Sequence, residues 1–437
     1  MADSIEGTTA VEIAGSVRSL IERGRLSPGE VLPPVRTLAD RLGVNRNTAT
    51  AAYRRLAEAG LVIAAGRGGT RVAAPEEVAR EGYSDTALRD VGNGNPDPTL
   101  IPDLSGALRA VVGRPVLYGA PVVDPDLEAW SLETMADDLA PSEIRVSVTS
   151  GAADALERLL AGSLSRGDAV AIEDPGFLTG IHTIRVGGFT AIGVPIDDQG
   201  MTPDGLRRAL EQGARAVICT PRAQNPTGAS VSPERAAELR EVLARHPYAL
   251  VVEDDHFSLL SARPFRSIVP MTHRRFALVR SVSKFLGPDM SLALVASDPH
   301  TAKRLGMRLR PGTAWVSHLL QRLSLALLTD DDVRTQIAAA GEHYASRNAA
   351  FCRTLAVHGI DCSPGDGLNV WVPVAAPAPA VSEHLELRGW LVRTENEFRV
   401  AGTSDHVASH HIRVTAHALS DADQRALAAD IATAHLP

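Results

Sequence analysis

Five short segments in a chain of 437 residues end in side chains that together could carry out carbonyl–amine chemistry. RVSVTS leads into Gly151, Ala152 and Ala153, small residues opening a helix, where backbone N–H groups can cradle a phosphate. AVAIED leads to Asp174-Pro175-Gly176-Phe177, which offers a flat aromatic face. RAVICTP leads to Gln224-Asn225-Pro226-Thr227-Gly228, which supplies an amide. YALVVEDD ends on Asp254 and Asp255 and is followed by His256, and FALVRSVS carries Ser281 and Ser283 and is followed by Lys284. A lysine can condense with an aldehyde, a carboxylate can keep a ring nitrogen protonated, and an amide can donate to a ring oxygen. Alone, each piece has a plainer reading: a surface lysine, a capping Asp, a loop. Their order and spacing carry the inference.

The apolar runs that precede these residues are four to six long and alternate with helical patterns such as Pro233–Arg245. That alternation predicts an α/β fold with a mostly parallel sheet buried on both faces. In such sheets ligands sit beyond the carboxyl ends of the strands, so the five segments converge on one edge. A phosphate cradle, an aromatic plate, an amide, a carboxylate and a lysine meeting there describe a pocket for pyridoxal 5'-phosphate (PLP).

The first 75 residues have a different character. Ile13, Val17, Leu20 and Ile21 recur at helical spacing, predicting a helix over about residues 9–24. RLSPGEVLPP breaks it, Val35–Leu42 reads as a second helix with Leu38, Ala39 and Leu42 inward, and Gly43-Val44 makes a tight turn. Asn45 or Asn47 can cap a third helix running to about Ala59, whose apolar face is Ala52, Leu56 and Ala59. LVIAAGRGGTRVA then alternates around a Gly-rich turn, as a two-stranded wing does. A helix–turn–helix of this kind inserts its second helix in the major groove of double-stranded DNA. Asn45, Arg46, Asn47 and Thr48 open that helix, Arg36 comes from the helix before it, and Arg67 and Arg71 on the wing are placed for phosphate contact.

Bulk properties fit this division. The formal net charge is −8, yet residues 1–75 hold 10 Lys+Arg against 7 Asp+Glu, so a basic arm precedes an acidic body. No apolar run is long enough for a membrane span, and MADSIEGTTA lacks the features of a secretory signal. Cys219, Cys352 and Cys362 are too few for a disulfide framework, which points to a reducing cytoplasm. No pair has metal-site spacing, and His410-His411 reads as a solvated loop. The expected organisation is a winged helix over 1–75, a linker over 76–91 and a PLP-binding domain over 92–437.

Two resemblances sharpen the reading. PGEVLPPVRTLADRLGVNRNTATAAYRRLAEAGLV followed by GRGGTRV resembles the GntR-type winged helix, which implies DNA contacts from Arg36, Arg46, Asn47, Thr48 and Gly66 or Gly68. From about residue 89 onward the chain resembles the fold-type I aminotransferases, with a smaller α+β subdomain. By that resemblance Lys284 is the Schiff-base lysine, Asp254 the partner of the pyridinium nitrogen, Asn225 the ring-oxygen donor and Phe177 the stacking aromatic. Ser281 and Ser283 are phosphate ligands. Tyr118, in VLYGAP, reaches the phosphate of a neighbouring subunit, and Arg413, in HHIRVTAHAL, holds a substrate carboxylate. A sheet-edge salt bridge is the competing role for Arg413. Two positions depart from the pattern: His256, whose imidazole can still donate to the ring oxygen, stands where the family has tyrosine, and Ser291 where it has the phosphate-gripping arginine. A hydroxyl there weakens the grip unless Arg280 or another basic group substitutes.

The two parts in this order resemble the MocR regulators, and NPDP, LYGAP, EDDHF and SKFLGPDM resemble the regulators of vitamin B6 salvage. The resemblance implies a homodimer whose DNA affinity responds to PLP or to PLP joined to an amine. The expected function is therefore a PLP-level sensor controlling vitamin B6 metabolism. The alternatives are a regulator that senses an amino acid condensed onto PLP, an aminotransferase, and a DNA-binding protein whose second domain is only a dimerisation scaffold.

Overall fold

The computed structural model describes residues 5–64, 69–73, 86–113, 115–139, 143–309, 315–400 and 409–434. The chain divides into two compact units, Met1–Val78 and Ala79–Pro437.

In the first unit, α1 (Ala10–Glu22) starts with a capping box. Thr9 accepts from the Glu12 N–H, and the Glu12 carboxylate accepts from Thr9 in return. Helix α2 (Val35–Leu42) ends on Gly43, whose φ of 64° lets the chain turn sharply into α3 (Arg46–Glu58). Asn45 caps α3 by accepting from the Asn47 N–H at 2.8 Å. Strands β1 (Val62–Ala64) and β2 (Thr70–Val72) pair antiparallel as the wing. Ile13, Val17, Leu38, Ala52 and Leu56 close one apolar core, each fully buried Leu contributing about 2 kcal/mol of transfer free energy. Ala59 is exposed rather than inward, because it terminates the helix as its C-cap. Gly66, Arg67 and Gly68 lie outside the described residues.

The second unit opens with β3 (Arg89–Asp90), α4 (Ser105–Val111) and α5 (Pro125–Met135). Its large sheet begins with β4 (Arg145–Thr149), followed by α6 (Ala152–Ser163), β5 (Ala169–Asp174) and α7 (Leu178–Val186). Next come β6 (Thr190–Asp197), β7 (Gly200–Met201), α8 (Pro203–Glu211), β8 (Ala214–Cys219), α9 (Pro233–Ala244) and β9 (Leu250–Asp254). Then β10 (Phe276–Ser281), the short α10 (Ser283–Leu286) and β11 (Ala293–Ser297) complete the sheet, in the order β4-β11-β10-β9-β8-β5-β6-β7. β10, β9, β8, β5 and β6 are mutually parallel, while β11 runs antiparallel to both β10 and β4. Apolar clusters cover both faces, which is why these strands read as continuous hydrophobic runs.

The chain continues through α11 (Pro299–Leu309), α12 (His318–Leu328) and the 27-residue α13 (Asp331–Val357) into a smaller α+β part. There β12 (Val370–Pro373), α14 (Ala378–Glu386), β13 (Trp390–Leu391), β14 (Arg393–Thr394), β15 (His411–Val414) and α15 (Asp421–Thr433) enclose a separate core. The small sheet has the order β12-β15-β14. Residues 89–91, expected in the linker, instead join this part: β3 pairs parallel with β13, and the Val91 N–H donates to the Leu391 carbonyl. RDV carries too little periodicity to announce a two-residue strand. Of His410-His411, expected as a solvated loop, His410 is exposed outside any strand, whereas His411 sits in β15 with its ring stacked on Trp371 at 5.3 Å. No helix among the described residues is long and apolar enough to cross a membrane.

Helix α13 packs so closely on the turn after β9 that a Cβ at Gly341 would lie 2.2 Å from the Leu260 carbonyl oxygen. Backbone cannot yield as a flexible side chain would, so Gly341→Ala is expected to destabilise the second unit by about 1–3 kcal/mol. A lowered urea midpoint of the full chain, with an unchanged slope, checks this.

Candidate functional site

The carboxyl ends of β4, β5, β8, β9 and β10 bring the five segments to one edge of the large sheet. Lys284 is the second residue of α10, and its Nζ donates to the Gly94 carbonyl at 2.8 Å. Together with Asn225, His256, Phe257 and Asn369 it lines a small cleft. The loop after β8 holds Asn225 through Gln224, which accepts from the Thr227 N–H at 3.1 Å and donates to the Pro175 carbonyl at 3.0 Å. Gly228 in that loop has φ 73°, and a Cβ there would meet the Asp366 carbonyl oxygen at 2.8 Å. Glycine is required for the loop and the segment around Asp366 to lie this close.

Asp254 and Asp255 end β9 and differ sharply in their surroundings. Arg222 grips Asp255 with two hydrogen bonds of 2.7 and 2.9 Å, and Arg280 adds a third at 2.7 Å. Burial alone would push the Asp255 carboxyl up, but the hydrogen bonds and charge of Arg222, and then Arg280, hold it below the usual carboxylate range. Asp254 is also buried, and its Oδ1 has no hydrogen-bond partner among the described residues. Burial first, then the charges of Asp255 and Glu173, push its carboxyl up to about 7.

Arg280 donates its remaining reach to Asp138 at 2.6 Å and lies over the Phe265 ring. It is thus a structural cation, and does not replace the arginine missing at position 291. Ser291 instead lies beside the start of α6, with its Oγ donating to the Ser150 carbonyl at 3.3 Å. α6 has Gly151 as its N-cap, without a side-chain cap, so the leading N–H groups at Ala152 and Ala153 are left to an outside acceptor. Ser281 and Ser283 hydroxyls are 3.2 Å apart.

His256 departs from expectation in its orientation. Its ring is parallel to that of Phe177 within 11°, with centroids 6.4 Å apart. A third ring held between two others at van der Waals contact needs about 7 Å, so the two rings face each other as near-matched plates. Arg413 is fully buried on β15, the central strand of the small sheet, and not at a sheet edge. It donates to Asn225 Oδ1 at 2.9 Å and to the Gly92 carbonyl at 2.5 Å, and its guanidinium lies over Phe398. Tyr118 is 92% exposed, its ring tilted against Trp315, and so stands outside this group within the single chain.

Comparison with known proteins agrees with this geometry. Residues 117–431 match the family described as aminotransferase class I and II, and residues 9–72 match the gntR family of bacterial regulatory proteins. The vitamin B6 salvage pathway transcriptional repressor PtsJ of Salmonella typhimurium is 47% identical over 98% of each chain. The chain belongs to the GntR-type regulators that carry an aminotransferase domain, the MocR architecture.

Among other members, the pyridoxine biosynthesis regulator PdxR of Corynebacterium glutamicum is 28% identical over 66% of each chain. The fold is also that of a Pyrococcus horikoshii kynurenine aminotransferase, with a TM-score of 0.72 and 19% identity over 80% of this chain and 91% of the other. Of the residues expected to contact DNA, Arg36, Arg46 and Asn47 are exposed and Thr48 half-exposed, at the start of α3 or on α2 before it. Arg71 donates to the Gly29 carbonyl at 3.0 Å, bracing the wing. Sequence reasoning gave no role to Arg222, Asp255 or Gly94. The paired Asp in EDDHF was the only local signal for the first two, since Arg222 lies 33 residues away.

The raised Asp254 pKa has a definite sign. Below its unfolded value near 4 the group contributes nothing; between there and about 7 the folded chain holds the extra proton, and stability falls as pH rises. Asp254→Asn removes that penalty, so the variant's melting temperature relative to the parent is expected to rise between pH 5 and pH 8 in ligand-free protein. Parallel melting curves at the two pH values measure it.

Proposed function

We propose that this chain is a PLP-responsive, DNA-binding transcriptional regulator that senses PLP level and controls vitamin B6 metabolism. The observation that carries the reading is the buried Asp254 oxygen without a hydrogen-bond partner among the described residues, in a chain that also carries a winged helix. A buried carboxylate is costly unless a cation or donor meets it, and the protonated ring nitrogen of PLP is such a group. The rest of the donor set fits the same ligand. The uncapped start of α6 with Ser281, Ser283 and Ser291 suits the phosphate, Phe177 and His256 suit the two ring faces, and Asn225 the ring oxygen. When bound, PLP supplies an aldehyde that condenses reversibly with an amine.

Each residue then has a physical task. Lys284 holds the amine that meets the aldehyde, and the Gly94 carbonyl keeps it oriented. Asp255, neutralised by Arg222 and Arg280, leaves Asp254 as the carboxylate available to the ligand. Serine at 291 in place of a fixed cation makes the phosphate grip weaker and PLP reversible, which a sensor of PLP level needs. Tyr118, exposed in the single chain, supports a homodimer in which it meets the partner's phosphate site. Arg413, beside Asn225 and away from a sheet edge, supports the alternative in which an amino acid joined to PLP is the signal and its carboxylate meets this guanidinium.

Titrating ligand-free protein with PLP while following its visible absorbance and operator binding together tests the reading. DNA affinity is expected to change over the range in which PLP binds, and to stop responding in Lys284→Ala. PLP that cannot be washed out and leaves DNA affinity unchanged would sink the level-sensing version. Turnover of amino acids with 2-oxo acids at enzyme-like rates would favour the aminotransferase, and unchanged regulation in Lys284→Ala the scaffold. On the DNA side, Arg46→Ala is expected to weaken operator binding by about 1–3 kcal/mol, roughly 5- to 150-fold, and to relax base preference at one position. Binding measured at fixed salt on operator variants checks it.

A further inference from the structure

Cys352 and Cys362 are ten residues apart and their Sγ atoms lie 2.7 Å from each other. Cys352 is buried on α13, and Cys362 follows it in the segment leading to β12. Cys362 is half-buried and lines an open cleft of about 770 Å³ together with Thr227, Gly228, Arg263 and Asp361. The two thiols are unlike. The hydrogen bond with Cys352 holds the Cys362 thiol below its ordinary range, against burial and the Asp361 charge. The hydrogen bond with Cys362, then burial, pushes Cys352 well up, with Arg353 opposing weakly. The third cysteine, Cys219, is fully buried, and burial with the charges of Glu173 and Glu253 pushes its thiol up.

We propose that Cys352 and Cys362 form an oxidation site, in which a hydroperoxide entering the cleft converts the pair reversibly to a disulfide. Geometry assigns the roles: Cys362 faces the cleft and is the nucleophile, and Cys352 behind it is the resolving thiol. The Cys362 thiolate attacks the terminal oxygen of the hydroperoxide, the O–O bond breaks, and the leaving alkoxide takes a proton to depart as alcohol. Cys362 becomes a sulfenic acid. Cys352 loses its proton, attacks the Cys362 sulfur, and the S–O bond breaks with release of water. Two thiols and one hydroperoxide thus give one disulfide, one alcohol and one water, and a dithiol reverses the change by exchange.

The link joins α13 to a segment that reaches the candidate cofactor cleft. Four residues after Cys362, the Asp366 N–H donates to the Gly228 carbonyl at 2.8 Å, and the Gly367 carbonyl accepts from Asn348 of α13 at 3.0 Å. Asp366, Gly367, Leu368 and Asn369 line the cleft that holds Lys284 and Asn225. The disulfide therefore restrains the wall of that cleft whether or not PLP is its ligand.

The test treats the full-length reduced protein with hydrogen peroxide, followed by non-reducing digestion and mass spectrometry. The expected result is a Cys352–Cys362 linked peptide that dithiothreitol removes, with Cys219 unmodified; its absence overturns the proposal. In Cys352→Ser, a dimedone-type probe is expected to capture sulfenic acid at Cys362. In Cys362→Ser, Cys352 is expected to label about tenfold less, because it is buried behind the position that faces the cleft. Equal labelling of the two variants overturns the assignment of roles. Hydrogen exchange over residues 363–369 is expected to slow on oxidation in the parent and not in Cys362→Ser, and unchanged exchange in the parent overturns the coupling to the cleft.

Discussion

Two carboxyl groups buried side by side at the end of β9 cannot both ionise in a low-dielectric interior without partners, and the site is organised around that constraint. Arg222 and Arg280 resolve half of it by enclosing Asp255, and Phe265 packs under both guanidinium groups. Asp254 is left with a raised pKa and an unmatched oxygen. A cationic ring nitrogen is the natural complement. Folding energy spent on burying Asp254 returns when such a ligand binds, which links occupancy to the state of the surrounding loops.

Those loops come from distant parts of the chain and meet by backbone contact. The loop carrying Asn225 abuts the segment around Asp366, and Arg413 of the small sheet bonds to Asn225 itself. A ligand that touches Asn225 therefore bears on both the large sheet and the small one. Coupling of this kind needs two arrangements of which the ligand favours one, and in the proposed sensor a hydroxyl at position 291 instead of a fixed cation would keep that preference within reversible range.

The regulator differs from an aminotransferase less in its donor set than in how each donor is held. His256 forms the second of two parallel plates, where a ring-oxygen donor was expected, and Arg280 is committed to Asp255 and Asp138. The phosphate end of the proposed site thus offers neutral hydroxyls and backbone N–H groups, each weaker than a charge-assisted pair.

Much of this was legible in the sequence, because the relevant signals are local. Helix α2 falls on Val35–Leu42 and α3 starts after Asn45 as the pattern predicts, since a 3.6-residue period, a left-handed Gly43 ending α2 and an Asn45 capping α3 are set by neighbouring residues. The strand ends were equally readable: doubly buried parallel strands are short apolar runs, and the chemistry sits just after them. What the tertiary structure alone decided is which side chains meet. Arg280 finds Asp138 across 142 residues, β3 finds β13 across 300, Cys352 meets Cys362 around a helix end, and His256 turns its face to Phe177. Periodicity reports which face of an element is buried, but the partner a buried polar group finds depends on packing between elements far apart in sequence, and no local pattern encodes it.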